Sequence, residues 1–315
     1  MTTAPPVIAI VGSLNMDIVT SADRFPVPGE TMFGRDVRFR PGGKGGNQAV
    51  ACARLGLETR LIGAVGEDAF GRSLVESLNA SGVRTEYVKR VREAATGTAS
   101  ITLTPEDNTI LVVPGANAEW TPDDFNAWSG ILPRASVLLV QLEIPLPAVA
   151  AAMDIAWRRG IPIILNPAPA RDLPEALLRM ASYVTPNQSE LHALTGIEAS
   201  GDGLERAIDA LLARGPETVV ATLGGEGAAW KTRGGELRRI GARRVEAVDT
   251  TGAGDAFNAA LACSVAAGRS LEEGVRYAVA VAALAVTKRG AQEGMPTARE
   301  LNDFLRANPG AEMAT

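Results

Sequence analysis

The chain has 315 residues, 46% hydrophobic and 21% charged, which excludes a fibrous or disordered bulk. Lysine and arginine number 31 against 36 aspartate and glutamate residues, and a net charge of −5 lacks the basic footprint of a broad nucleic-acid binder. Two cysteines, Cys52 and Cys263, and one histidine, His192, argue against a disulfide framework, a paired-cysteine zinc site and a Ser-His-Asp triad.

The first residues have no basic region, and the apolar run Val7–Val11 is too short for a signal peptide or a membrane span. No later apolar stretch is long enough either, so the sequence reads as cytoplasmic, with no membrane partner. Val7–Val11 predicts a buried strand, as do 61–65, Val137–Val140, 161–165 and Thr218–Thr222. Helical spacing predicts helices over 47–55, 70–78, 148–157 and 204–212. Further helices are expected over 254–267, 271–286 and 298–305, and fraying over 308–315. Strand–helix alternation of this kind implies a mainly parallel sheet covered by helices on both faces.

Two stretches break the rhythm. Residues 17–40 hold Pro26, Pro28, Gly29 and Gly34 and no helix pattern. Residues 96–115 read as a hairpin turning at 105–108. Hairpins inserted into an α/β core suggest a small β lid, the alternative being an edge extension of the main sheet. Cys52 and Cys263 sit in Ala-rich helical stretches as small core residues, and His192 reads as a partly exposed helix residue.

Two segments carry chemistry. In Asp249-Thr250-Thr251-Gly252-Ala253-Gly254-Asp255, small residues open a helix whose free N–H groups and dipole favour an anion. A carboxylate there, Asp255, would repel an anion as a ligand but suits a general base beside the reacting centre. The second segment is Pro41-Gly42-Gly43-Lys44-Gly45-Gly46-Asn47, a glycine-rich loop before a helix. It is not a P-loop, because glycine follows Lys44, and no dinucleotide fingerprint follows the first strand.

Together these segments resemble the two signatures of the ribokinase-like (PfkB) carbohydrate kinases, and the likeness covers nearly the whole chain. It implies a three-layer α/β/α fold with a mainly parallel central sheet and a small β-sheet lid. The core would comprise 1–14, 41–95 and 118–315, and the lid 15–40 and 96–117. The resemblance implies transfer of the ATP γ-phosphoryl group to O5 of D-ribose. Asp255 would be the base, with Gly252, Ala253 and Gly254 forming the anion hole. Asn15, Asp17, Gly42, Gly43, Lys44, Asn47 and Glu143 would hold the sugar. Asn187, Thr222, Gly224, Gly225, Gly227 and Gly254 would line the nucleotide, although Glu226 departs from the expected residue. Glu190 would place Mg²⁺ through water. Asp249, Thr251, Val286, Arg289 and Ala291 would surround K⁺, with Gly294 near a place where the family often has serine. A homodimer through the lid is expected. The alternatives are another sugar or a nucleoside as acceptor, a non-catalytic sensor on the same fold, and, last, a nicotinamide oxidoreductase.

Overall fold

The computed structural model describes residues 5–307, so the fraying expected over 308–315 lies outside the described residues. The chain opens with β1 (Val7–Val11), β2 (Asn15–Ser21), β3 (Asp36–Gly42) and α1 (Lys44–Arg54). There follow β4 (Glu58–Gly66), α2 (Ala69–Ala80), β5 (Val88–Val91), β6 (Gly97–Leu103), β7 (Asn108–Val113) and α3 (Pro122–Trp128). The middle runs through β8 (Val137–Val140), α4 (Leu146–Arg158), β9 (Ile163–Leu165), α5 (Glu175–Leu178), β10 (Tyr183–Val184), α6 (Gln188–Thr195) and α7 (Gly203–Ala213). The last part holds β11 (Thr218–Thr222), β12 (Ala228–Thr232), β13 (Arg238–Ile240), α8 (Ala253–Ala266), α9 (Leu271–Ala285), α10 (Ala291–Gly294) and α11 (Ala298–Ala307).

Nine strands form one sheet in the order β13-β12-β11-β10-β9-β8-β1-β4-β5. The pairs from β11 to β5 are parallel, and only β12 runs against the others, antiparallel to both β11 and β13. The strands β1 and β8 are buried along their whole length, as continuous apolar runs require of strands covered on both faces. Alternate side chains feed two cores. Ile8, Ile10 and Leu139 pack with α1, α8 and α9, whereas Ala9, Val11, Leu138 and Val140 pack with α4 and α7. Each fully buried aliphatic side chain of this kind contributes roughly 1.5–3 kcal/mol.

The remaining four strands make a separate sheet, β3-β2-β6-β7. This settles the two irregular stretches as a second, smaller sheet rather than an edge extension. Two antiparallel pairs, β2 with β3 and β6 with β7, are joined by the parallel pairing of β2 with β6.

Several elements differ from the sequence expectation. The first helix begins at Lys44, not at residue 47, because the Gly46 N–H reaches the Ser13 carbonyl and the turn docks on β1's end. The strand expected from residue 161 starts at Ile163, after Pro162, which has no N–H for a ladder. The short strands β5, β10, β12 and β13 were not foreseen. His192 is exposed on α6, and Cys52 and Cys263 are free and buried. Among the described residues no helix is long and apolar enough to cross a membrane.

Candidate active site

In the large sheet the chain moves from β1 outward to β4 on one side and later to β8 on the other. Strand order therefore reverses between β1 and β8, and a crevice opens at their carboxyl ends, the usual ligand position in such sheets. The Ser13 hydroxyl, just past β1, donates to Glu143 Oε2, just past β8, at 2.5 Å. The same oxygen accepts the Lys44 N–H at 3.2 Å, and the Lys44 ammonium lies 3.9 Å from Glu143 Oε1. Glu143 thus stands at the mouth of the crevice, against the first turn of α1.

The helix α8 points its N-terminus into the same space. Gly252 caps it in the left-handed conformation (φ 79°), and a side chain there would also press on Ala291 and Met295. The opening N–H groups of a helix have no intrahelical acceptor. Around Gly254 the space is open, so a ligand can approach the backbone. Asp255 is buried in this first turn. Its Oδ2 accepts from Asn47 Nδ2 and its Oδ1 from Gln48 Nε2, each at 2.9 Å. Burial raises the Asp255 pKa above the usual carboxylate value; Lys44, Asn47 and Gln48 oppose that rise.

The small sheet supplies a second carboxylate. Asp17 lies on β2, opposite Arg40 on β3. Its side chain covers Gly42 so closely that any Cβ at that position would overlap the carboxylate. Burial, then the charges of Glu143 and Asp255, push Asp17 up to about 7, against Lys44 and Arg40. Burial disfavours the Lys44 ammonium, but Asp255, Glu143, Glu190 and Asp17 outweigh it and raise its pKa. Asn15 is buried beside them, its Oδ1 taking a 2.8 Å bond from Asn117 Nδ2. Gly43 is the N-cap of α1, and Asn47 sits one turn in. The residues expected around a sugar therefore converge on one pocket wall.

Two residues expected on the nucleotide side have local roles. Asn187 and Glu190 form a capping box on α6: Glu190 N–H to Asn187 Oδ1 at 2.8 Å, and Asn187 N–H to Glu190 Oε2 at 2.9 Å. Burial raises Glu190, opposed by the Asn187 N–H and by Lys44. Thr222, at the end of β11, bridges to Asn187. Gly224 and Gly225 follow on an exposed turn with open space around them, and the buried Gly227 enters β12.

Asp249 joins two loops. Its Oδ1 accepts the Thr251 N–H and its Oδ2 the Gly290 N–H, both at 2.9 Å. Burial disfavours its charge, but these bonds outweigh burial and hold the carboxyl below its usual range. The Val286 carbonyl accepts both the Val248 and the Asp249 N–H, so its lone pairs are engaged. A Cβ on Gly294 would rest 3.5 Å from the Ala285 carbonyl and 3.7 Å from that of Arg289. Asp249, kept ionised by its bonds from Thr251 and Gly290, is the charged oxygen group that a monovalent cation would need between these loops. No group of three or more His, Cys, Asp or Glu side chains placed to hold a metal ion occurs among the described residues. A divalent ion held through its waters by Glu190 and a ligand's phosphates fits that arrangement, because Mg²⁺ needs few protein ligands.

Sequence reasoning missed Ser13, Asn117, Gln48 and Arg40. Ser13 and Asn117 act only through the folding of distant segments together, and Gln48 looks like an ordinary polar residue of the helix that carries Asn47. Arg40 directly precedes the glycine loop, and its guanidinium rests against Gly290.

Residues 6–298 match the family described as pfkB family carbohydrate kinase. The ribokinase of Bacillus subtilis (strain 168) is 42% identical over 299 residues, covering 95% of this chain and 99% of the relative. The ribokinase of Haemophilus influenzae is 37% identical over 300 residues, covering 95% of this chain and 98% of the relative. The structure of Arabidopsis thaliana ribokinase complexed with ribose and ATP superposes with a TM-score of 0.89 at 33% identity. It covers 96% of this chain and 99% of that one.

Proposed function

We propose that this chain, which belongs to the pfkB family of carbohydrate kinases, phosphorylates D-ribose at O5 with ATP to give ribose 5-phosphate. The observation that carries the reading is the buried Asp255 carboxylate in the open, glycine-rich first turn of α8, facing Lys44 and Glu143. An anion-binding helix end beside a proton acceptor is what phosphoryl transfer to a hydroxyl requires.

Asp17, Asn15 and Glu143 hold the sugar hydroxyls, with Gly42, Gly43, Lys44 and Asn47 completing the wall. A carboxylate accepts from two hydroxyls at once, and asparagine both donates and accepts. Asp255 accepts the O5 proton as the O5–phosphorus bond forms and the bond from phosphorus to the bridging oxygen of ADP breaks. The N–H groups of Gly252, Ala253, Gly254 and Asp255 stabilise the charge on the equatorial oxygens. Asn187, Thr222, Gly224, Gly225, Gly227 and Gly254 line the nucleotide. Glu190 would hold Mg²⁺ through water, and the ion would supply neutralisation of phosphate charge. Asp249, with the carbonyls of Thr251, Arg289 and Ala291, would hold K⁺ beside the loop leading into α8; the Val286 carbonyl, engaged by the Val248 and Asp249 N–H groups, ties the two loops.

Among the described residues, the core comprises 5–14, 41–95 and 118–307, and the lid 15–40 and 96–117. Closure of the lid over the sugar excludes water and limits ATP hydrolysis. Support for a homodimer through the lid comes from its exposed apolar side chains, among them Phe39, Ile110 and Leu111. Two free thiols fit a reducing, cytoplasmic compartment.

The test is ADP release with Mg-ATP and D-ribose, 2-deoxyribose, fructose, adenosine or no acceptor, each in K⁺ and in Na⁺. The reading requires ribose to give the highest kcat/KM, with K⁺ raising it. Turnover of another acceptor with ribose silent would overturn the substrate. ATP binding without any turnover would favour a sensor.

A further inference from the structure

Beneath Asp255 runs a chain of uncharged polar side chains that the reaction above does not use. Gln48 is fully buried on α1 and donates from Nε2 to Asp255 Oδ1 at 2.9 Å and to Asn166 Oδ1 at 3.1 Å. Its other end is pinned, because Gln141 Nε2 donates to Gln48 Oε1 at 2.5 Å. A flipped Gln48 amide would present oxygen to two acceptors and a donor to a donor, so its orientation is fixed by its partners. The chain continues from Asn166 Nδ2 to the Thr185 carbonyl at 3.4 Å. The Thr185 hydroxyl then donates to Asn258 Oδ1 at 2.5 Å, and Asn258 Nδ2 donates to the Gly254 carbonyl at 2.9 Å.

The path leaves α8 at Asp255, crosses α1 and the ends of β9 and β10, and returns to α8 at the neighbouring residue. Gln48, Asn166, Thr185 and Asn258 come from four separate elements, and all are buried. Burying so many amides is costly unless each is paired, and a paired network in a low-dielectric interior fixes one geometry. Two amide oxygens at the margin of this network have no partner: Gln141 Oε1, on the residue that pins Gln48, and Asn47 Oδ1, on a residue that also donates to Asp255 and can take a hydroxyl from a sugar.

We infer that Gln48 is the positioning residue of the general base: through the closed ring it fixes the plane of the Asp255 carboxylate relative to the anion-binding turn at Gly254. The inference rests on Asp255 being that base. Four charged groups act on Asp255 electrostatically: Lys44 on α1, Glu143 after β8, Asp17 on β2 and Glu190 on α6. None of them is altered by changing Gln48. Losing a donor to the ionised form raises a carboxyl pKa, so the acid limb of kcat should move to higher pH.

The test compares Gln48→Met, near-isosteric but without the amide, and Thr185→Val, isosteric and remote from Asp255. For each, kcat, ribose KM and the pH profile are measured beside Asp255→Asn. Gln48→Met should lose about 10–100-fold in kcat, the scale of a slight misplacement of a reacting group. Its ribose KM should stay within about threefold and its acid limb should rise. Thr185→Val should show the same directions, smaller, and decides the matter if Gln48→Met does not fold. Unchanged kcat and acid limb in the folded variants, or a loss confined to ribose KM, would overturn the inference. Retained turnover in Asp255→Asn would instead overturn the base assignment on which it rests.

Discussion

Of the carboxylates in the site, Asp255 on the side of the large sheet and Asp17 on the small sheet are held differently. Asp255 stands on a helix packed against the nine-stranded sheet, with both oxygens fixed by amides from the next helix. Asp17 stands on the four-stranded sheet, whose β7 is exposed along its whole length, and it rests on the bare backbone of Gly42. A rigid, buried group suits chemistry, where small displacements are expensive, whereas a group on a thin sheet suits binding and release. Under the proposed function, the molecule divides holding the sugar, in which Asp17 takes part, from activating it at Asp255.

The sharpest break of that separation is Gly42→Ala. Its methyl group would displace the Asp17 carboxylate and leave Asp255 untouched. The expected result is a loss of roughly 10²-fold in kcat/KM, nearly all in ribose KM, read from steady-state kinetics. The pH dependence of ribose KM comes next. Burial and the neighbouring carboxylates push Asp17 up to about 7, and under the proposed function its ionised form accepts the hydroxyls. Ribose KM should therefore fall by roughly tenfold as pH rises from about 6 to about 8, and Asp17→Asn should flatten that dependence.

A smaller effect concerns stability. The folded pKa of Asp17 lies above its ordinary 3.8. Its contribution is fully present below that value and is lost as pH rises through about 7. Without ligand, Asp17→Asn should match the parent near pH 4 and exceed it at pH 8 by a few degrees in Tm, followed by thermal unfolding. The smallest effect on the protomer belongs to the lid surface. Leu111 is 69% exposed, and Leu111→Lys should change unfolding free energy by no more than about 0.5 kcal/mol. It should nevertheless shift the sedimentation coefficient from dimer to monomer.

The same contrast explains what could be read from the sequence. The buried strands β1, β8 and β11 announce themselves as apolar runs, and the glycine-rich helix starts before α1 and in α8 mark where backbone meets ligand. The strands β10 and β13 span two and three residues, too few for a period to register. Gln48 and Asn258 look like ordinary polar helix residues, and only tertiary packing closes them into a ring around Asp255. Asn117 is equally silent in sequence. It braces Asn15 and the Leu14 backbone from a turn 103 residues away. Asn187 and Glu190 form a helix capping box, and the same residues are proposed to meet the nucleotide and its metal, so pattern alone could not tell the two roles apart.

The most direct test pairs ribose binding with single-turnover phosphoryl transfer for Asp17→Asn and Asp255→Asn. The account predicts a crossover. Asp255→Asn should bind ribose within about threefold of the parent yet transfer about 10²–10⁴-fold more slowly, the usual contribution of a general base. Asp17→Asn should bind ribose at least about tenfold more weakly and still transfer at near-parental rate once ribose saturates. Transfer by Asp255→Asn within a few-fold of the parent, or loss of both properties in both variants, would contradict the division between holding and activating the sugar.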